Sequence, residues 1–203
     1  MSYRSVTGKH ISKKTGTIHP FESALERDWL ITLEYDDEVM FYTTQPVTIL
    51  YQVKDTTARY TPDVIVYYQP ELERKPLLCE VKYEAELAEK QSDYAPKFDA
   101  AHTYAKNNGY NFETVTEKQI RTVYLENIKL LSRYHHAAIN ERYAEMIYDQ
   151  LKKECFLEVD TVIGRDKSLS PKLLYTVWQM LAARRIGCDM SSKINMQTLI
   201  WNL

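Results

Sequence analysis

The sequence predicts an α/β fold: a mixed sheet flanked by helices, followed by a smaller, mainly helical C-terminal domain. Two short apolar segments, residues 64–67 and 77–81, are bounded by prolines and joined by a polar turn, which is typical of a β-hairpin. Residues 22–35 contain good helix formers and no internal Gly or Pro. Beyond residue 125 the apolar spacing is mostly helical. Together these segments favour an α/β core with a separate helical part.

Length and composition set the domain organisation. The chain has 203 residues, of which 44% are hydrophobic and 27% charged, enough for one α/β domain and a smaller one. We place a basic N-terminal arm at residues 1–20, the α/β core at 21–125 and the helical domain at 126–203. The formal net charge is −2, so any affinity for nucleic acid must come from local patches.

The N-terminal 20 residues form one such patch. They include Arg4, Lys9, Lys13, Lys14 and two histidines, but no Asp or Glu. Lys9, Lys13 and Lys14 are therefore candidate contacts to a DNA phosphate backbone, with an affinity that falls as salt rises. A solvated, disordered tail is the alternative interpretation.

The first predicted helix places a carboxylate in its apolar sector. At about 100° per residue, Glu26 falls inside the stripe formed by Leu25, Trp29, Leu30 and Leu33. A carboxylate that faces a core needs a partner, because burying an unpaired charge costs several kcal/mol. Glu22 is a second candidate one turn earlier, and the polar side is expected to hold Arg27, Asp28 and Glu34. The alternative is that Glu26 reaches solvent from the edge of the stripe.

A strand region over residues 39–53 precedes the predicted hairpin, which carries most of the chemistry. If the hairpin folds back symmetrically about Leu72, Asp63 lies opposite Glu80, with Cβ atoms roughly 4.5–5.5 Å apart. Strand alternation puts Lys82 on the same face as Glu80. A divalent cation would relieve the repulsion between the two carboxylates, and these hard oxygen ligands suit Mg²⁺. An ordinary solvated sheet face is the alternative.

The rest of the chain supplies the other elements. Residues 94–107 are predicted to form a helix that ends at Gly109, and residues 110–116 a strand. Four further elements are expected: helices over 125–134 and 139–153, a short strand over 155–159 and a helix from Pro171. A hairpin over residues 186–201 would complete a winged-helix-like module. Arg184, Arg185 and Lys193 would then mark a DNA or protein docking surface; a helical cap on the sheet is the alternative.

The cysteines and hydropathy indicate the compartment. Cys79, Cys155 and Cys188 show no CxxC spacing, which favours reduced thiols and argues against a zinc site. No signal peptide and no apolar run of membrane-spanning length is present in this sequence. We therefore expect a cytoplasmic protein without a membrane partner.

The sequence resembles a known class of nucleases. Pro62-Asp63 followed by Glu80-Val81-Lys82 is the PD-(D/E)xK pattern of the restriction-endonuclease-like enzymes. The match is closer to the TnsA family, the end-cleaving endonucleases of heteromeric transposases. It rests on residues 23–26, 33–35, 63–66, 81–82, 112–120 and 126–128, and covers roughly residues 16–130. The resemblance implies a restriction-endonuclease-like mixed-sheet core.

Carried over by position, the resemblance implies that Glu26, Asp63 and Lys82 are the catalytic acid, acid and lysine. Glu80 stands where the best-known member has glutamine, and a carboxylate there is the commoner choice in the wider class. Mg²⁺, or Mn²⁺ in its place, would be held by Asp63, Glu80 and the carbonyl of Val81, with Glu26 completing the site or holding a second ion. Lys82 would orient or deprotonate the attacking water.

The resemblance also implies a reaction and partners. Members of this family nick the 5′ ends of a mobile element during cut-and-paste transposition. They act with a DDE transposase, TnsB, which joins the 3′ ends to target DNA, and with an ATP-dependent regulator, TnsC. Two alternatives stay open: a stand-alone restriction or repair nuclease, and a non-catalytic scaffold for DNA ends.

Overall fold

The computed structural model describes residues 6–135 and 138–203, which form two compact units. The first unit ends at Arg121 and the second begins at Thr122, near the boundary expected after residue 125. Arg4 of the predicted basic arm lies outside the described residues.

The first unit is built mainly of short strands. They are β1 (Gly8–Ile11), β2 (Ile18–Phe21), β3 (Val39–Thr44), β4 (Ile49–Val53), β5 (Thr56–Tyr60), β6 (Val64–Tyr68), β7 (Leu77–Val81) and β8 (Asn111–Val115). The helices are α1 (Ala24–Tyr35), α2 (Glu84–Glu89), α3 (Gln91–Asn107) and α4 (Glu117–Ile120). A 3₁₀ turn over Pro70–Leu72 lies between β6 and β7, where the sequence predicts the hairpin turn.

A mixed four-stranded sheet forms the centre of this unit, in the order β3-β6-β7-β8. The β3–β6 and β6–β7 pairs are antiparallel, whereas β7 and β8 are parallel. Parallel neighbours need a long crossover, which α2 and α3 supply. Strands β4 and β5 form a separate hairpin whose buried ends pack with the sheet and α3, in a cluster of Ile49, Tyr60, Ile65, Leu78, Ala101, Ala105 and Phe112. The predicted mixed α/β class is confirmed.

Helix α1 confirms the predicted apolar stripe but not the predicted polar side. Leu25, Leu30 and Leu33 are buried, as expected. Asp28 is buried too, and its carboxylate pairs with the guanidinium groups of Arg27 and Arg121, each at 3.2 Å. The polar placement of Asp28 is wrong because α4 packs against α1 and covers this second face of the helix.

The first 20 residues are not a solvated tail over their described part. Strands β1 and β2 form an antiparallel hairpin that packs on α1, and Glu34 of α1 faces this hairpin instead of solvent. The Glu34 carboxylate accepts four hydrogen bonds: from the Ser12 hydroxyl (2.6 Å), the main-chain N–H groups of Lys13 (2.9 Å) and Lys14 (3.0 Å), and the Tyr42 hydroxyl (2.8 Å).

These hydrogen bonds fix the ionisation state of Glu34. Burial by itself disfavours the carboxylate, but His10 at 3.8 Å and the donors from Ser12, Tyr42 and Lys14 outweigh it and hold the pKa of Glu34 well below its usual range. An acid with a depressed pKa stabilises the fold above its unfolded-state pKa, and this stabilisation is lost as the pH falls. Glu34 is therefore a charged anchor for the hairpin at neutral pH.

The second unit has its own core. Its helices are α5 (Val123–Leu131), α6 (Glu141–Leu151), α7 (Val159–Ile163) and α8 (Ser170–Ala182), and its strands are β9 (Leu157–Glu158), β10 (Ile186–Cys188) and β11 (Leu199–Asn202). The strands pair in the order β10-β11-β9, all antiparallel. The buried side chains include Ile147, Leu151, Val162, Val177, Met180 and Ile200. The hairpin predicted over residues 186–201 is present as the β10–β11 pair, to which β9 adds a third strand. The winged-helix-like assignment stays a prediction.

The basic residues of the predicted docking surface are not equivalent. The Arg185 guanidinium makes two hydrogen bonds to the Glu141 carboxylate, at 2.7 and 2.9 Å, and a third to the Tyr148 hydroxyl. Such a bidentate pair fixes Arg185 within the unit. Lys193 is exposed. A docking role for this surface stays a prediction.

We expect Glu34→Gln to lower the free energy of unfolding by roughly 1–3 kcal/mol at pH 7, because an amide places a donor where donors already converge. Urea denaturation measures this difference. It should begin to shrink as the pH falls below the ordinary value of 4.5, where the unfolded chain takes up the proton, and it should be gone only below the depressed pKa of the folded state. Glu38→Gln is the control, since Glu38 is 55% exposed and its pair with Arg74 contributes little. Equal losses in both variants would contradict the anchoring role.

Candidate active site

The site lies where β6 begins and β7 ends. The observed pairs are Val64 with Cys79, Ile65 with Leu78 and Val66 with Leu77. Continued by one residue, this register puts Asp63 across from Glu80, which confirms the predicted hairpin pairing. All five residues of β7 are buried. A slip of one residue in the register would turn the Glu80 side chain to the other face of the sheet, so the register is strongly specified.

The main chain fixes Asp63 at the mouth of the site. Its Oδ2 atom accepts a hydrogen bond from the N–H of Val81 at 2.7 Å. Its own carbonyl accepts one from the N–H of Gln45 at 2.8 Å. Asp63 is therefore hydrogen-bonded to the ends of both strands that flank β6, namely β3 and β7.

Glu80 is the most enclosed acid of the site, with a side chain only 3% exposed. Its Oε2 atom accepts a hydrogen bond from the Tyr60 hydroxyl at 2.8 Å. Its Oε1 atom receives two ammonium groups, from Lys82 at 3.1 Å and Lys97 at 3.0 Å. A carboxylate that is buried so deeply is acceptable because each oxygen has a donor.

The Lys82 ammonium lies among three oxygens. Its Nζ atom is 3.1 Å from Glu80 Oε1, 3.6 Å from Asp63 Oδ2 and 3.1 Å from the carbonyl oxygen of Val81. These are the three groups that the sequence predicts as metal ligands. The Lys82 ammonium therefore lies at the point where these oxygens converge and where a metal ion would be held.

The electrostatics follow from this arrangement. Burial and the charge of Glu80 raise the pKa of Asp63 to about 7, against the opposing effects of Lys82 and the Val81 N–H. Burial lowers the pKa of Lys82, but the charges of Asp63 and Glu80 outweigh it and raise the pKa above its ordinary value. Lys82 is therefore a firmly protonated donor, while Asp63 carries a disfavoured negative charge.

Glu26 lies at the edge of the site and also caps α1. Its Oε2 atom accepts a hydrogen bond from the N–H of Glu22 at 2.8 Å, and its own N–H donates to the Ser23 hydroxyl at 3.0 Å. This is close to a capping box at the helix N-terminus. The charge of Glu26 still raises the pKa of both Asp63 and Lys82. A cleft of about 790 Å³ contains Glu26 and Lys82 in its wall.

The oxygen set fits a hard divalent cation. Two carboxylates and a main-chain carbonyl are the ligand types that Mg²⁺ takes, and they already surround an ammonium. Within residues 6–135 and 138–203, no cluster of three or more His, Cys, Asp and Glu side chains is arranged to hold a metal. Glu26 is thus not preassembled with the pair, and its part in catalysis stays a prediction.

Two residues of the site, Tyr60 and Lys97, are not predicted from the sequence. Tyr60 ends β5, in a separate hairpin, and Lys97 lies in the middle of α3. No spacing rule connects either of them with Glu80. The available signal for Lys97 is its place between Tyr94 and Phe98, since a lysine among aromatic residues on one helix face is unusual.

The three candidate DNA-binding lysines lie on or beside the β1–β2 hairpin. Lys9 and Lys13 are exposed. Lys14 is partly buried, and its ammonium donates to the main-chain oxygens of Asp36 and Val39. Lys14 therefore ties the hairpin to the α1–β3 connection, whereas Lys9 and Lys13 project into solvent.

A mixed sheet with a carboxylate pair and a lysine at the meeting ends of two strands defines the restriction-endonuclease-like class of nucleases. Residues 36–117 match the family model described as TnsA-like endonuclease N terminal. This segment of the chain is therefore similar to the N-terminal domain of TnsA-like endonucleases, which supports a nuclease of that kind.

The matched segment contains Asp63, Glu80, Lys82 and Lys97 but begins after Glu26. No curated protein matches the chain. None of the helices in the described part of the chain is both long and apolar enough to cross a membrane.

Asp63→Asn should raise the free energy of unfolding in metal-free buffer at pH 8 by roughly 1–3 kcal/mol, because it removes a disfavoured buried charge. The cost of the ionised acid builds up as the pH rises from about 4 to about 7 and is complete above that, so the gain should disappear below about pH 4, where both states are protonated. Denaturant unfolding in EDTA measures the effect. Asp99→Asn, at an exposed position of α3, is the control. A loss of stability in Asp63→Asn would show that the pair with Lys82 dominates.

Proposed function

We propose that this chain is the Mg²⁺-dependent endonuclease subunit of a heteromeric transposase, and that it nicks the 5′ ends of a transposon during cut-and-paste transposition. The observation that carries the proposal is the convergence of Asp63, Glu80 and the Val81 carbonyl on one cationic group. The TnsA-like match over residues 36–117 supports the same reaction class.

Asp63, Glu80 and the carbonyl of Val81 would hold Mg²⁺, with Glu26 as a further ligand or the holder of a second ion. When bound, Mg²⁺ polarises the scissile phosphate and lowers the pKa of a water. Tyr60 fixes one oxygen of Glu80 and the Val81 N–H fixes one oxygen of Asp63, so both carboxylates are oriented before substrate arrives.

Lys82 has to leave its place between the carboxylates for this chemistry. Its side chain is 21% exposed and borders the cleft, so the ammonium has a route toward a phosphate. There it would donate hydrogen bonds to the attacking water and to the oxygens that gain negative charge.

DNA and partner proteins complete the proposal. A net charge of −2 gives the chain little attraction to DNA as a whole, which favours delivery to the ends by a TnsB-type transposase. The second unit, with its own core, would serve as the docking module for a TnsC-type regulator.

Strand-specific cleavage tests the proposal. With Mg²⁺, a TnsB-type and a TnsC-type partner, the wild-type chain should nick DNA at the 5′ ends of the element. Asp63→Ala and Lys82→Ala should each lower the rate at least about 100-fold, because each removes a group that stabilises charge in the transition state. Asp99→Ala should cut at the wild-type rate.

The outcomes separate the alternatives. Equal cutting by Asp63→Ala and wild type would overturn the assigned site. Cutting by the wild-type chain alone, with no partner present, would indicate a stand-alone nuclease. Partner-dependent binding of DNA ends without any nicking would indicate a scaffold.

Salt dependence tests the predicted DNA-binding lysines. The double variant Lys9→Ala/Lys13→Ala should reduce the slope of log affinity against log salt by about 2, since each phosphate contact contributes about 0.9. Lys75→Ala/Lys106→Ala is the matched control, at two other exposed lysines. Equal slopes for both double variants would remove Lys9 and Lys13 from the DNA interface.

A further inference from the structure

Glu80 is contacted by two ammonium groups, but the nuclease chemistry uses only one of them. Lys82 and Lys97 both approach its Oε1 atom, at 3.1 and 3.0 Å. Lys82 comes from the end of the same hairpin, whereas Lys97 comes from α3, 17 residues further along the chain than Glu80. Two like charges at one oxygen repel each other, so each must be held in place by other contacts.

The two lysines are held in different ways. The Lys97 ammonium lies over three aromatic rings, with its Nζ atom 4.3 Å from the centroid of Tyr94, 4.8 Å from Tyr60 and 5.2 Å from Phe98. Each ring face attracts a cation, and more strongly where water is excluded. The Tyr94 ring is in turn fixed by its hydroxyl, which donates to Glu86 at 2.5 Å.

Lys82 has no comparable cage among its described contacts. Its ammonium touches Asp63, Glu80 and the Val81 carbonyl, which are the oxygens that a metal ion would take. Any cation that enters this position removes the contacts that hold Lys82. Lys97 keeps its aromatic contacts under the same conditions, so the geometry separates a fixed cation from a displaceable one.

The different contacts of Lys82 and Lys97 matter for the charge balance of the site. When both are ionised, Asp63 and Glu80 carry two negative charges, and the ammonium groups of Lys82 and Lys97 balance them. When a divalent ion replaces Lys82, Glu80 keeps Lys97 as a partner at Oε1 and Tyr60 at Oε2. The Glu80 carboxylate therefore keeps its orientation while the Lys82 ammonium moves to the scissile phosphate.

We propose that Lys97 is a positioning residue for the nuclease site. It is a permanent counter-charge that holds Glu80 in its active orientation and lets Lys82 leave. This rests on the proposed function, because it assumes that a divalent cation binds between Asp63 and Glu80. Lys97 also sets the metal affinity: a fixed positive charge repels a divalent ion more than it repels the ammonium that the ion replaces.

The test is Lys97→Met, which keeps an unbranched apolar chain against the three rings but removes the charge. Mn²⁺ binding to the DNA-free protein, measured by electron paramagnetic resonance, should become at least about 3-fold tighter, because the repulsion is gone. Nicking with saturating Mn²⁺ and partners should be about 10- to 100-fold slower, because Glu80 is no longer held. Lys97→Arg keeps the charge and should stay close to wild type in both measurements.

Opposite changes in binding and rate distinguish a positioning role from a packing role. If Lys97→Met binds Mn²⁺ more weakly as well as cutting more slowly, the site has merely loosened and the proposal is overturned. Lys106→Met, at an exposed position of the same helix, controls for helix effects. If Asp63→Ala binds Mn²⁺ as tightly as wild type, the proposed nuclease site fails and this inference fails with it.

A measurement on the wild-type chain covers the case in which Lys97→Met does not fold. Ammonium groups of ¹⁵N-labelled lysine are followed by nuclear magnetic resonance during Mg²⁺ addition. The Lys82 signal should move as its ammonium leaves the carboxylates, while the Lys97 signal stays at its shielded position above the rings. A Lys97 signal that moves as far as that of Lys82 would overturn the proposal.

Discussion

The structure of the first unit depends on one electrostatic constraint: two carboxylates face each other at the meeting ends of β6 and β7. Neither tolerates burial without a cation, and the fold supplies two cations from different elements. The β4–β5 hairpin brings Tyr60 onto Glu80, and α3 brings Lys97. The elements around the sheet are thus arranged to satisfy a site whose charges alone would destabilise it, as expected where function opposes stability.

Helix α1 connects this site with the N-terminal hairpin. Near its start Glu26 closes the helix cap and contributes negative charge at the edge of the site, and near its end Glu34 gathers the donors of the hairpin. The two glutamates are superficially alike, but their surroundings differ. Glu34 is held by four hydrogen bonds and is structural, whereas the Glu26 carboxylate accepts one from the N–H of Glu22 and Glu26 lines the cleft. A helix that is fixed at one end can hold an acid steadily at the other.

The family match and the candidate site both lie in the first of the two units. The family match covers the sheet, the carboxylate pair and both lysines, and it ends before the second unit begins. The second unit has its own core and a three-stranded sheet, and pairs such as Arg185 with Glu141 neutralise part of its positive charge. The small net charge of the whole chain is consistent with the proposal that partner proteins bring it to DNA.

The sequence alone determined the hairpin, the opposition of Asp63 and Glu80, the side on which Lys82 lies and the apolar stripe of α1, because these follow from local periodicity and turn chemistry. It did not determine the burial of Asp28, the hairpin contacts of Glu34 or the engagement of Lys14, because each depends on an element that packs from elsewhere in the chain. Tyr60 and Lys97 are the clearest case. They reach Glu80 from a neighbouring hairpin and from a helix. Only the tertiary structure brings the Tyr60 hydroxyl and the Lys97 ammonium to a carboxylate that is 17 or more residues away in the chain.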